Sequence, residues 1–380
     1  MAKSVLCVVL AIVLIVYVPG AYAESKTNAS AQACVLFCAN TGELVLEKNS
    51  DKRMPMASTT KIMTALLALE KCSTDDETVE FTYDMIAEGS SMYLKVGEKI
   101  RLSELVKGLL AASGNDAANA IAISMCGSIE EFCKLMNSRA RSLGMNNTNF
   151  VTPSGLDDEN HYSTAYDMAL LMNCAMQNEA FRDIVSQQDI EVTFEKAEKQ
   201  KTTYHNHNRL LSEYEYCIGG KTGFTKKSGR CLVTCAEKDG ITLIAVTLNA
   251  PDDWNDQKAM YDYGFENLRT CCQDDTNINI SLPVAGGEHD NVTVNAECKM
   301  PYVYNINGVD DIKREFFLPR FVYAPVKKGD ALGKIRYCKN GKLFREVPLV
   351  AESDVPLDTQ KENIFENIMN WFLGIFKGMN

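Results

Sequence analysis

Hydrophobic positions along the 380-residue chain change their spacing several times, and each change predicts a new element. The run "ACVLFCANTGELVLEK" sets two short apolar stretches on either side of Asn40-Thr41-Gly42, which predicts a β-hairpin. From about Ser58 to Lys71 the apolar residues fall at helical spacing, and that spacing returns in "LSELVKGLLAAS", "DAANAIAISMC" and "SIEEFCKLMNSRARSLG". Ser128 and Glu131 open the last of these as a capping box, and Thr164 and Asp167 repeat the spacing before "MALLMNCAM". Between residues 217 and 250 the texture turns to strands with Lys238-Asp239-Gly240 as a hairpin turn, and a helix from about Asp256 to Leu268 follows. The polar break "CCQDDTNIN" divides all of this from a strand-rich stretch that runs to about Val350, a separate small β domain.

The two ends carry patterns of another kind. The first 23 residues, "MAKSVLCVVLAIVLIVYVPGAYA", join one lysine, an apolar run and an Ala21-Tyr22-Ala23 end, which predicts an export signal cut after Ala23. The apolar run is shorter than the roughly 20 residues a spanning helix needs. At the other end, "ENIFENIMNWFLGIFKGMN" places Ile364, Phe365, Ile368, Trp371, Phe372, Ile375 and Phe376 on one helical face, with Asn363, Glu366, Asn367 and Asn370 opposite. Such a helix over 361–380 suits the membrane interface better than a span, and contact with a membrane surface is the expectation.

A hydrophobic content of 46% supports one large domain and a smaller one. The formal charge is −11, and loss of Lys3 with the leader makes it −12, a sign that disfavours nucleic acid as a partner. Thirteen of the 14 cysteines remain after cleavage, scattered and without metal-ligand spacing, so no metal and no cofactor is expected. Cys34 with Cys38, and Cys231 with Cys235, each lie four apart on expected strands, hence roughly 13 Å apart, too far for a disulfide within the strand. Most of these thiols read as small buried hydrophobes.

Against this background "MPMASTTKIMTALLALE" stands out, because Ser58 and Lys61 share one helical face a turn apart. A serine attacks only when a base takes its proton, and a lysine is such a base only where burial or a second cation lowers its pKa. Met54, Met56, Ile62 and Met63 supply the apolar setting. One S-x-x-K is a weak signal, but "AASGNDAAN" adds Ser113 and Asn115 at a helix junction, and "IGGKTGFT" adds Lys221, Thr222 and Gly223 on a strand. Together they supply the parts of an acyl-transfer site. Ser58 attacks, Lys61 accepts its proton, Ser113 relays a proton to the leaving amine, and Asn115 holds the substrate backbone. Lys221 is the second cation and, with Thr222, a carboxylate site, while Gly223 lets a substrate lie on the strand as an added strand.

The ordered set S-x-x-K, S-x-N, K-T-G resembles the penicillin-binding proteins and serine β-lactamases. Within that group, "TPSGLDDENHYSTAYDMALL", "NHNRLL", "SGNDAANAIA" and "FVYAPVKKGDALGKIRYCKNGKLFREVPLVAESDV" resemble the low-molecular-mass D-alanyl-D-alanine carboxypeptidases over nearly the whole mature chain. The resemblance implies an α/β (α+β) fold: a transpeptidase-like domain over 24–272 with an antiparallel sheet between helices, a C-terminal β domain over 276–355, and the terminal amphipathic helix as a membrane anchor. It implies removal of the terminal D-alanine from peptidoglycan stem peptides through an acyl-enzyme on Ser58, inhibition by β-lactams, and action at the extracytoplasmic face of a bacterial membrane. It also implies an oxyanion hole of the Ser58 and Phe224 backbone N–H groups. Phe224 stands where some relatives have histidine, which leaves peptide preference open.

Other readings use the same residues. A D,D-endopeptidase or transpeptidase differs only in what attacks the acyl-enzyme. A β-lactamase of class A would carry an E-x-x-L-N element, and none is found. A non-catalytic wall-binding scaffold would be expected to have lost Ser58, Lys61 or Lys221, and all are present. The four histidines give no triad or zinc spacing, and His161 beside Tyr162 reads as a structural hydrogen-bond partner.

Overall fold

The computed structural model describes residues 28–195, 200–274, 278–296, 299–306, 312–339 and 341–358, with residues 368, 369 and 371. The expected leader over 1–23 lies outside the described residues, as does all but three residues of the expected helix over 361–380. Among the described residues no helix is long and apolar enough to cross a membrane.

The expected N-terminal hairpin forms β1 (Ala33–Cys38) and β2 (Glu43–Lys48), and the strand-rich stretch after residue 216 forms β3 (Cys217–Thr225), β4 (Gly229–Lys238) and β5 (Ile241–Leu248). They build one antiparallel sheet in the order β2-β1-β5-β4-β3, which leaves β3 on an edge. All six residues of β1 are buried. Val35 and Phe37 join one apolar cluster while Leu36 and Cys38 join another, so both faces of the sheet are covered. The turn between β4 and β5 has Asp239 and Gly240 both at positive φ, the conformation a two-residue hairpin needs.

One face is covered by α1 (Lys61–Cys72), α2 (Leu102–Ala111), α3 (Asn115–Cys126), α4 (Ile129–Ser142), α5 (Ala165–Ala175) and α6 (Glu179–Val185). The capping residues read from the pattern act as such: Ser128 Oγ accepts from Glu131 N and Thr164 Oγ1 from Asp167 N. The other face carries α7 (Asp253–Asn267), seated by Gln257 Nε2, which donates to the Leu232 and Ala245 carbonyls at 2.9 and 3.2 Å. This helix starts three residues before the expected Asp256. The Asp256 carboxylate does not cap it; it accepts from the Ser30 and Ala31 N–H groups and ties down the start of β1.

A second sheet of four short strands, Thr78–Glu80, Lys99–Arg101, Asp189–Phe194 and Gln200–His205, lies in the otherwise helical middle and was not expected from the pattern. Beyond Leu268 come a two-stranded and a six-stranded sheet, the latter around Leu282, Val292, Val294, Ile335, Tyr337 and Leu349. Cys231 and Cys235 lie on the same strand, neither in a disulfide.

Candidate active site

Ser58 does not sit inside the expected helix. It belongs to a short 3-10 turn, Ala57–Thr60, and α1 begins at Lys61. Ala57 takes φ +48°, a left-handed conformation that side chains other than glycine resist, and this breaks the helix before Ser58. The serine is thereby placed at the bend while Lys61 stays on the first helical turn beneath it.

Lys61 is wholly buried. Its Nζ has three neighbours: Asn115 Oδ1 at 2.7 Å, the Ser154 carbonyl at 2.6 Å and Ser58 Oγ at 2.8 Å. Burial, and after it the charge of Lys221, hold the Lys61 amine well below the usual lysine range, with Asp116 opposing. A neutral amine has two N–H donors and one lone pair. Asn115 and Ser154 take the two donors, so the lone pair is left for the Ser58 hydroxyl.

Lys221, on edge strand β3, is also buried, which lowers its pKa to about 7. Its Nζ donates to Ser113 Oγ at 3.1 Å and to the Thr222 carbonyl at 3.0 Å. Ser113, like Ala57, takes a left-handed φ, +57°, at the junction of α2 and α3. Burial and the charge of Lys221 both push the Lys61 amine toward its neutral form.

Asn115 is engaged at both ends. Its Oδ1 receives Lys61 and its Nδ2 donates to the Glu88 carbonyl at 2.6 Å, so the structure places it as a positioner of Lys61. The next residue, Asp116, accepts from Ser91 Oγ and from the Met92 and Leu94 N–H groups, which pins the loop that carries Ser90 at the cleft rim. Neither the Ser154 carbonyl nor Asp116 was singled out from the sequence, although Asp116 adjoins the S-x-N motif.

Two glycines are required by close approach. A Cβ on Gly223 would stand 3.0 Å from the Met56 carbonyl oxygen and from the Ser58 and Thr59 nitrogens, so β3 lies directly against the Ser58 turn. Gly155, at φ +86°, backs the same turn from below. Ser58, Ser113, Thr222, Gly223 and Phe224 then line one cleft of about 450 Å³, with Phe224 66% exposed at its mouth. All eight residues expected at the site are therefore brought to this cleft or to the amines behind it.

His161 is buried and bonded away from Ser58. Its Nδ1 accepts from Val151 N at 3.1 Å, which leaves the proton on Nε2 to be donated to Thr60 Oγ1 at 2.8 Å. This is the structural role expected of it. Burial lowers its pKa to about 4. Between about pH 6.5 and 4 the unfolded chain binds a proton that the folded one refuses, so this contribution to stability is lost as pH falls through that window. Chemical unfolding of wild type and His161→Gln at pH 7 and pH 5 should show wild type losing about 2 kcal/mol more than the variant. Parallel losses would mean that the ring is protonated in the fold.

A family model described as D-alanyl-D-alanine carboxypeptidase matches residues 21–252, and one described as penicillin-binding protein 5, C-terminal domain, matches residues 268–357. The D-alanyl-D-alanine carboxypeptidase DacF of Bacillus subtilis is 32% identical over 376 residues, covering 93% of this chain and 95% of its own. DacA of Escherichia coli K12 is 30% identical over 367 residues, covering 91% of this chain and 88% of its own. Among solved structures, penicillin binding protein 5 from Haemophilus influenzae has a TM-score of 0.67 at 28% identity, over 87% of this chain and 99% of that one. A single-residue mutant of the Streptomyces K15 DD-transpeptidase has a TM-score of 0.61 at 30% identity, over 63% of this chain and all of that one.

Proposed function

Since the chain belongs to the D-alanyl-D-alanine carboxypeptidase family and is a low-molecular-mass penicillin-binding protein, we propose that it removes the terminal D-alanine of peptidoglycan stems with Ser58 as nucleophile and Lys61 as base. The observation that carries the reading is the buried Lys61 amine, 2.8 Å from Ser58 Oγ with both its donors already taken.

Ser58 Oγ attacks the carbonyl of the penultimate D-alanine and its proton passes to Lys61 Nζ. The Ser58 and Phe224 N–H groups hold the oxyanion. The substrate carboxylate lies between Lys221 and Thr222, where the lysine is charged when that anion is bound. As the C–N bond breaks, the proton taken from Ser58 passes from Lys61 through Ser113, which touches Lys221, to the leaving amine, so that Lys61 is neutral again and free D-alanine departs. Water then attacks the Ser58 ester and gives its proton to Lys61, which returns it to Ser58 Oγ as the shortened stem is released. A β-lactam enters the same cleft and acylates Ser58, but its leaving nitrogen stays tethered.

In this proposal the chain is exported after cleavage at Ala23, works on the extracytoplasmic face of the cell membrane, and is held there by the helix over 361–380. Residues 24–272 are the catalytic domain, and residues 276–355 a spacer that lifts it toward the wall. Support for the location comes from the leader pattern and the apolar face of Ile368 and Trp371, both exposed.

Purified protein mixed with benzylpenicillin should gain the mass of the intact drug and keep it for minutes. It should release one D-alanine from a pentapeptide stem while leaving cross-linked dimers uncut. Drug hydrolysed within seconds would make it a β-lactamase, and cut dimers an endopeptidase.

A further inference from the structure

The cleft does not end at the K-T-G strand. Past Phe224 its wall is made by Arg230, Asp253 and Trp254. Arg230 is the register partner of Phe224 between β4 and β3, so the two side chains leave the sheet on one face at its open edge. Both Nε and Nη2 of Arg230 donate to Asp253 Oδ1, at 2.9 and 2.6 Å, and the guanidinium stacks over the Trp254 ring at 5.5 Å. That grip fixes the fork, while among the described residues no acceptor takes Nη1 and the side chain is 42% exposed. A second guanidinium, Arg209, lies 5.8 Å from the same ring. Lys226 and Lys227 follow in the turn to β4, and the acids facing this end are Asp253 and Glu213, paired with Arg230 and Arg209, and Asp157, which accepts from Thr225 Oγ1 at 2.8 Å. In a chain of net charge −11, one end of the reactive cleft is therefore cationic.

The reacting groups say which part of a substrate reaches that end. The terminal carboxylate is taken at Lys221 and Thr222, and the scissile carbonyl sits between the Ser58 and Phe224 N–H groups. A substrate added along β3 must then run past Phe224 with the residue that precedes the D-Ala-D-Ala pair. Its side chain, turned over the sheet edge, meets the Phe224 ring and then the Arg230 guanidinium.

We infer that Arg230, with Phe224 and Trp254 beside it, determines specificity by receiving a carboxylate on the side chain of the stem residue just before D-Ala-D-Ala. The inference rests on the acyl-transfer reading above. The apolar methylenes of that side chain lie on Phe224, and the carboxylate accepts from Nη1, a charge-assisted bond. The ligand class is a diamino acid bearing an extra carboxylate, as distinct from one ending in an amine alone.

The test uses the whole protein and two peptides that differ only by that carboxylate: diaminopimelyl-D-Ala-D-Ala and lysyl-D-Ala-D-Ala. Wild type should release D-alanine from the first with kcat/KM higher by about 10-fold or more. Arg230→Gln should bring the ratio close to one. The double variant Arg230→Gln/Asp253→Asn should do the same without leaving the buried Asp253 unpaired. Equal rates on the two peptides in wild type would overturn the assignment alone. Release from neither peptide would overturn the acyl-transfer reading and this inference with it. Benzylpenicillin has only the carboxylate that mimics the peptide terminus. If Arg230→Gln slowed its acylation by the same factor, Arg230 would belong to the terminal carboxylate and the assignment would fail.

Discussion

Lys61→Met is expected to slow acylation of Ser58 by benzylpenicillin by about 1,000-fold or more. Methionine keeps about the same volume but removes the amine that faces the Ser58 hydroxyl. Lys61→Arg separates a base from a cation. Its guanidinium stays protonated at any working pH, so it satisfies Asn115 and Ser154 as a donor yet accepts nothing. Both variants should fold, because each fills the pocket, and both should be near-inactive by the rate of mass gain. An arginine variant that kept a tenth of the wild-type rate would show that Lys61 acts as a charge and that the proton leaves Ser58 by another route.

The residues proposed for the reaction were legible in the sequence because each stands in a short motif, and motif spacing survives without the fold. Helices were legible where a cap and an apolar stripe agree, as at Ser128 and Thr164. The sheet was legible as strands but not as an order. The N-terminal hairpin enters beside β5, which follows it by nearly 200 residues, and nothing local records that pairing. The second sheet escaped notice because Thr78–Glu80 and Lys99–Arg101 are three residues long, each with one buried position, too short to show a period.

What the motifs left out is mostly backbone. The Ser154 carbonyl completes the cage of Lys61, and the left-handed φ of Ala57 turns Ser58 out of the helix, but a carbonyl or a φ angle has no letter of its own. The cationic end of the cleft was hidden for a related reason. Arg230 and Trp254 become neighbours of Phe224 only through the β3–β4 register and through a helix that starts three residues before Asp256.

Gly155→Ala should be the most damaging single-methyl substitution at the site. An added Cβ would stand 1.9 Å from the Ala57 carbonyl oxygen, 2.5 Å from its carbon and 2.8 Å from Thr60 Oγ1. The first two are backbone atoms of the turn that carries Ser58, so no rotamer relieves the overlap, and the turn itself has to move. Gly127 supplies the reference, since it too has a positive φ, +78°, but nothing lies within 4 Å of its added Cβ. Gly127→Ala therefore measures the conformational penalty alone, about 1 kcal/mol. Gly155→Ala should lose about 2 to 5 kcal/mol in chemical unfolding. In the fraction that folds, acylation by benzylpenicillin should fall by about 100-fold, because a displacement near 1 Å at the nucleophile is enough for that. The two losses have one cause, the seat of Ala57 on Gly155, and should appear together. If Gly155→Ala and Gly127→Ala cost the same stability and acylation is untouched, that contact does not hold Ser58 in place, and the turn is fixed from the side of Gly223 alone.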